Sequence, residues 1–189
     1  MALVSAPYGL KPVNPTGQTL RPISMVDGIA SGYNTAIYQY SPVILATSGT
    51  VTVGTTAADI YGVFEGCEYT TTDGQRVQSN QWVANTSYVA GSMIVYLFTD
   101  PYITYLIQSS ATLAQSAIGD EADFVNPGTG NSTTGLSSAQ IGTLVGAGNQ
   151  GQLRIINLYQ TPNNAWGDTY VDVMVQIARH QTVSNKVAV

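Results

Sequence analysis

The hydrophobic and polar positions of residues 61–69, Y-G-V-F-E-G-C-E-Y, follow a strand-like alternation that Glu65 interrupts. β-forming residues with an apolar residue at every second position predict a strand with one buried face. A buried, unpaired carboxylate would be costly, so we expect the chain to bulge or bend at Glu65–Gly66 and turn the charge outward. Uninterrupted alternation would put four side chains on one face: Tyr61, Val63, Cys67 and Tyr69.

Strand signals recur from residue 36 to residue 178, separated by turn residues. In residues 170–178 the valines at every second position are expected to face the core. Residues 93–98, M-I-V-Y-L-F, are apolar at both parities, which is typical of a strand covered on both faces. The pattern predicts a mainly β chain: a small β-barrel or sandwich-like domain of about six to eight strands over residues 36–180.

Three segments depart from the strand pattern. Residues 111–118 are predicted to form one short helix of about two turns, capped by Ser110 and closed by Gly119. Residues 126–138 are rich in Gly, Ser, Thr and Asn, which indicates a loop or the crest of a hairpin. Residues 181–189 are expected to form a C-terminal tail.

Residues 1–35 combine regularly spaced prolines with apolar side chains. Proline favours extended backbone and removes a hydrogen-bond donor, whereas a disordered tail would contain fewer apolar residues. We therefore expect an extended N-terminal arm outside the core. Two interpretations remain open: the arm covers its own domain, or it lies on a neighbouring subunit.

Composition narrows the classes of partner. Charged residues make up only 9% of the chain, against about 25% in average soluble domains. The net charge is −5 and the six basic residues are scattered, so we expect no binding to nucleic acid. No apolar run approaches the ~20 residues needed to span a bilayer, so we expect no membrane association. The first residues do not resemble a signal peptide, so we expect the chain to be synthesised in a cytoplasm.

The chain shows no constellation typical of catalysis or metal binding. His180 is the single histidine, and Cys67, the single cysteine, is expected in the core. The acidic residues within 120–123 lack calcium-loop spacing and indicate a solvated turn. Glu65 and Glu68, three positions apart on a strand, should point to opposite faces, so we do not expect them to form by themselves the carboxylate pair of a glycoside hydrolase. We expect no enzymatic activity, no cofactor and no bound metal.

Several short segments together resemble the capsid decoration, or cement, proteins of tailed bacteriophages. They are residues 5–13 (S-A-P-Y-G-L-K-P-V), 41–43 (S-P-V), 61–70 (Y-G-V-F-E-G-C-E-Y-T), 100–108 (D-P-Y-I-T-Y-L-I-Q), 118–124 (I-G-D-E-A-D-F) and 153–158 (L-R-I-I-N-L).

The resemblance implies a β-rich domain on the outer surface of an icosahedral head, where it bridges subunits of the major capsid protein and stabilises the shell against internal DNA pressure. It also implies a homo-oligomer, with a trimer favoured and a dimer possible, and location in the virion. Carried onto the arm, it suggests five residues for capsid or intersubunit contact: Pro7, Tyr8, Leu10, Pro12 and Val13.

Two alternatives remain at this point. The chain could be another virion structural component, such as a head-fibre base or a minor capsid protein. It could instead be a carbohydrate-binding β module, because exposed tyrosines and tryptophans can stack on sugars. Trp166, in the loop-like stretch N-N-A-W-G-D, is the stronger candidate for such an exposed aromatic contact than Trp82.

Overall fold

The computed structural model describes residues 4–15, 17 and 19–183 and confirms a mainly β fold, with 42% strand and 2% helix. The strands pair in several antiparallel sheets, as expected of a small sandwich-like domain. In chain order they are β1 (Lys11–Val13), β2 (Ile23–Val26), β3 (Ile37–Tyr38), β4 (Pro42–Leu45), β5 (Val51–Val53), β6 (Gly62–Thr70), β7 (Arg76–Ser79), β8 (Gln81–Trp82), β9 (Ile94–Phe98), β10 (Thr104–Gln108), β11 (Glu121–Val125), β12 (Gly130–Asn131), β13 (Leu136–Ser137), β14 (Gln140–Leu144), β15 (Leu153–Leu158) and β16 (Asp172–Ile177).

The first sheet has the strand order β1-β10-β16-β15-β11-β14 and surrounds the larger of two hydrophobic cores. An isolated parallel bridge between Ser109 and Ile141 brings the end of β10 to β14, so the sheet curls towards closure. The predicted alternation of the last strand is confirmed, because every second residue of the segment is buried. The inward side chains are Val171, Val173, Val175 and Ile177.

The second sheet has the order β2-β9-β6-β4-β5, with β7 pairing the far half of β6. Its inner face packs a second core under the short β3–β8 ribbon. Trp82 lies at the centre of that core, with its ring 5.8 Å from Tyr69 and 6.2 Å from Tyr88, both in edge-to-face geometry. Such aromatic pairs add to the stabilisation that burial alone provides.

The predicted bulge in β6 is confirmed, but it does not turn the carboxylate fully outward, because Glu65 Oε2 is buried. Phe64 pairs with Leu97 and Gly66 with Tyr96, so Glu65 is the extra residue between them. The bulge also reverses the alternation, which the sequence interpretation did not include. Val63 therefore lies in the first core, whereas Phe64 and Cys67 lie in the second. The expectation of a single face shared by Val63 and Cys67 was wrong.

Two further expectations for local structure require correction. The predicted two-turn helix is a single 3-10 turn, Gln115–Ala117. Ala111 donates its N–H to the Ser109 side chain at 3.0 Å, and Ala114 is extended, so the chain reaches helical geometry only at Gln115. Strand β9 is not covered on both faces, because alternate residues remain partly exposed.

The N-terminal segment is part of the fold rather than an arm outside the core. Gly9 adopts a left-handed conformation, φ 79°, which is favourable for glycine, and a Cβ there would lie 2.5 Å from the Tyr40 carbonyl oxygen. Leu10 is completely buried and donates its N–H to that carbonyl oxygen at 2.9 Å. Strand β1 then forms the edge of the first sheet, where Pro12 is tolerated. The predicted boundary at residue 35 is wrong.

The two other predicted irregular segments are also anchored where the structure describes them. The loop at residues 126–138 contains the β12–β13 hairpin, whose Thr134 and Ser132 carbonyls accept hydrogen bonds from the Asn80 and Gln81 side chains. At the start of the predicted tail, Gln181 accepts a hydrogen bond from the Leu45 N–H at 2.7 Å. Residues 1–3 of the predicted arm and 184–189 of the tail lie outside the described residues.

Candidate functional site

One concave surface of the described residues is a groove that we call the Gln39 groove. It consists of two adjoining cavities of about 380 and 470 Å³, both of which contact Gln39. The first is lined by Gln39, Glu65, Gly66, Cys67, Gln78, Ser79, Asn80 and Tyr96. The second is lined by Tyr8, Lys11, Gln39, Tyr40, Leu106, Leu136 and Asp172. The groove therefore joins the outer faces of the two sheets.

The β6 bulge places Glu65 in the first cavity. The Gln39 amide donates to Glu65 Oε1 at 3.1 Å, while Oε2 is buried and has no hydrogen-bond partner among the described residues. An unsatisfied buried acceptor costs about 1–3 kcal/mol, and burial of the carboxyl raises its pKa. Because buried polar atoms in folded proteins nearly always have a hydrogen-bond partner, this oxygen calls for a donor from outside the described residues.

Gly66 lines the first cavity and packs closely against the neighbouring strand β7. A Cβ there would lie 2.9 Å from the Ser79 carbonyl oxygen. Tyr96 pairs directly with Gly66, which has no side chain on that face, and the Tyr96 ring forms one wall of the cavity. Its hydroxyl donates to Glu68 Oε1 at 3.1 Å, which fixes the ring's orientation.

The bulge also changes the relation between Glu65 and Glu68. Gln78, directly opposite Glu68, lines the cavity with Glu65, so the two carboxylates share a face of the sheet. The expectation that they point to opposite faces was wrong. Glu68 is held at 2.8 Å by Arg76, whose hydrogen bond lowers the pKa of that carboxyl, and Glu68 does not line the cavity. The pair therefore does not flank a common cavity.

The second cavity contains another half-buried carboxylate. The Tyr8 hydroxyl donates to Asp172 Oδ1 at 2.9 Å. Burial raises the pKa of both groups: for Tyr8 the neighbouring carboxylate adds to the effect, whereas for Asp172 the hydrogen bond opposes it. Tyr40 lines the second cavity, and burial followed by the charge of Glu65 raises the pKa of its hydroxyl. Two partly buried carboxyl groups and three tyrosines thus line one groove.

The five residues suggested for capsid or intersubunit contact differ in location and burial. Tyr8 lines the Gln39 groove, while Pro7, Pro12 and Val13 are partly buried along β1 or just before it. Leu10 is at 0% exposure in the chain's own core, so it cannot contact another surface, and that part of the prediction was wrong.

Both tryptophans are unsuited to stacking on a ligand from the surface. Trp166 is partly buried and packs against the first core, which corrects its prediction as an exposed aromatic contact. Trp82 is fully buried, and its indole N–H donates to the Tyr33 carbonyl at 3.2 Å.

The other titratable residues considered from the sequence, His180, Cys67 and Glu121, are buried. Burial lowers the pKa of His180, whose Nδ1 accepts the Thr182 N–H at 3.2 Å. Burial raises the pKa of Cys67 to about 12, as expected of a core thiol. Glu121 is fully buried and paired with Arg154 at 2.7 Å, so the predicted solvated turn is wrong at this residue. Within residues 4–15, 17 and 19–183, no group of three or more acidic, His or Cys side chains could hold a metal ion.

A second surface feature is the edge of the second sheet at β2. This strand is terminal in the sheet order, and three of its four residues are exposed. Val26 is 65% exposed and Ile23 is 45% exposed. Natural sheet edges are usually protected by lysine, proline, bulges or a covering loop, because unpaired backbone groups beside apolar side chains promote pairing with another chain.

No family model, curated protein sequence or solved structure matches this chain. In the part of the chain that the structure describes, no helix has the length and apolar character required to cross a bilayer.

Most of the Gln39 groove was missed by sequence reasoning. Gln39, Tyr96 and Asp172 are far apart in the chain and belong to no local motif. The one useful signal was the glutamate in an otherwise apolar strand, which predicted a bulge but not the cavity that the bulge creates.

Proposed function

We propose that this chain is a structural virion protein that binds the outer surface of an icosahedral phage head and bridges subunits of the major capsid protein. The observation that supports this most directly is the exposed apolar edge at β2. Strand pairing along such an edge supplies backbone hydrogen bonds, and Ile23 and Val26 supply apolar contact. The sequence resemblance to decoration proteins supports the same assignment.

The charge distribution supports extensive contact with protein. Three arginines form ion pairs within the chain, with nitrogen–oxygen distances of 2.7–2.8 Å: Arg76 with Glu68, Arg154 with Glu121, and Arg179 with Asp59. Pairing reduces the number of isolated charges that an approaching protein surface would have to desolvate. A shell protein repeated many times on one particle benefits from such surfaces, because modest affinities multiply through avidity.

We propose further that the chain acts as a homo-oligomer on the shell, with a trimer favoured. An edge strand with exposed apolar residues can serve either a neighbouring copy or the capsid. Native mass spectrometry of the free protein and a copy count on the particle distinguish the two uses: pairing between copies gives an oligomer in solution, and capsid pairing gives one only on heads.

The experiment is co-sedimentation of the full chain with expanded, DNA-free heads made from the major capsid protein of the same genome. Wild-type chain should sediment with heads at a saturable stoichiometry. Val26→Lys should reduce the affinity about tenfold or more, because a lysine replaces an apolar contact and protects the edge. Val83→Lys is the matched control, since Val83 is also an exposed valine, at 54%, but lies outside β2.

Absence of sedimentation of the wild-type chain with the heads would overturn the proposal. Equal binding by Val26→Lys and Val83→Lys would overturn the role of the β2 edge. Circular dichroism of both variants should match the wild type, since both substitutions are at exposed positions.

A further inference from the structure

We propose that the Gln39 groove is a saccharide-binding site. The proposal is independent of the capsid role, because it rests on a different surface from the β2 edge. It follows from three features of the groove: an unsatisfied buried acceptor, side-chain amides beside it, and tyrosine rings along the walls.

The hydrogen-bonding groups fit hydroxyls. Glu65 Oε2 requires a donor that the described residues do not provide. Gln78, on the same wall, makes no side-chain hydrogen bond to the described residues and can both donate and accept. A sugar hydroxyl also does both, so adjacent hydroxyls on one ring can satisfy the carboxylate and the amide together. The network of Asn80 to Gln39 at 3.4 Å and Gln39 to Glu65 at 3.1 Å holds these groups in position before a ligand arrives.

The walls fit the apolar faces of a sugar ring. Tyr96 borders the first cavity, and Tyr8 and Tyr40 border the second, where Leu106 and Leu136 add apolar surface. A tyrosine presents an apolar ring with a polar tip, which suits a ligand that combines C–H faces with hydroxyl edges. Two adjoining cavities of about 380 and 470 Å³ are of the size of typical small-ligand sites and have room for an oligosaccharide of a few rings.

The electrostatics favour a neutral ligand. Glu65 and Asp172 would repel phosphate or another anion, and Lys11 is the single basic residue among those that line the groove. A lysine or arginine side chain of a partner could satisfy Glu65, but it has no acceptor to offer Gln78. Burial also raises the pKa of both carboxyls, so the site already disfavours charge. A basic peptide is therefore the competing occupant that the test must separate from a saccharide.

The test uses an array of bacterial and mammalian oligosaccharides, followed by calorimetric titration of the strongest binder with the full chain. Arginine- and lysine-rich peptides are titrated in parallel. We expect saturable binding of at least one oligosaccharide and none of the peptides. Glu65→Gln should weaken that binding about tenfold or more, because it replaces one of the two carboxyl oxygens, both of which can accept a hydrogen bond, by an amide group that only donates. Gln78→Ala, at an exposed position, should weaken it several-fold without affecting the fold.

Two controls separate the groove from the rest of the surface. Asp73→Asn makes the same change from carboxylate to amide in the exposed β6–β7 turn and should leave the affinity within about twofold. Trp166→Ala should also retain binding, since Trp166 does not line the groove. The proposal is overturned if no oligosaccharide binds, if the peptides bind through Glu65 instead, or if binding depends on Trp166 and not on Glu65 and Gln78.

Discussion

Replacing Leu10 by alanine should destabilise the free protein substantially. Leu10 has no exposed surface and packs in the first core, at the position where Gly9 turns the chain inward. Truncation of a buried leucine removes its transfer free energy and leaves a cavity, which together cost about 2–5 kcal/mol. For a chain of this size each kcal/mol lowers the Tm by about 2–4 °C, so about 3 kcal/mol corresponds to a decrease of about 6–12 °C.

Urea unfolding followed by tryptophan fluorescence measures the change, because Trp82 is buried and Trp166 is partly buried in the native state. Val4→Ala is the matched control: Val4 belongs to the same N-terminal segment but is 78% exposed, so its truncation should change the free energy of unfolding by less than about 0.5 kcal/mol. An unchanged midpoint for Leu10→Ala would refute the assignment of this segment to the fold. It would restore the interpretation of an arm that serves another surface.

Two further predictions concern pH. Burial raises the pKa of Glu65, so the native state favours the protonated carboxyl and loses stability as the pH rises and the carboxyl ionises. The urea midpoint of Glu65→Gln should therefore be higher than that of the wild type at pH 7. The difference between the two midpoints should shrink towards pH 4. A constant difference across that range would exclude ionisation as the cause. Burial lowers the pKa of His180, so the unfolded state takes up a proton at a higher pH than the native state does. The wild type should therefore lose stability as the pH falls below about 6.5. Between pH 8 and pH 5, the Tm of His180→Gln should fall less than that of the wild type. Parallel pH profiles for the two proteins would contradict this reasoning.

The fold class and the strands with one buried face were predictable from sequence, because alternation reports burial directly. The last strand shows this clearly: Val173 and Val175 are fully buried, as the pattern predicted. The bulge at Glu65 was also predictable, since an unpaired carboxylate in a buried strand is costly, although one of its oxygens stays buried. Its effect on the alternation was not, because the strand pairs that identify the extra residue come from β9, about 30 residues away.

The errors arose where tertiary contacts outweigh local pattern. Proline-rich sequence at residues 7–15 suggested an external arm, but β10 has a free edge that β1 covers and the first core has space for Leu10. The first turn of the expected helix at residues 111–118 does not form, because the Ala111 N–H donates to the Ser109 side-chain oxygen in a local turn. The Gln39 groove is assembled from side chains between Tyr8 and Asp172, and no local periodicity indicates such a site.

Cryo-electron microscopy of expanded heads saturated with the chain tests the proposed function most directly. The account predicts additional density for a 19.9 kDa β domain on the outer surface of the shell, with the β2 edge directed towards a capsid subunit or a neighbouring copy. Heads without additional density, or with the domain attached by another face while Ile23 and Val26 remain in solvent, would contradict it.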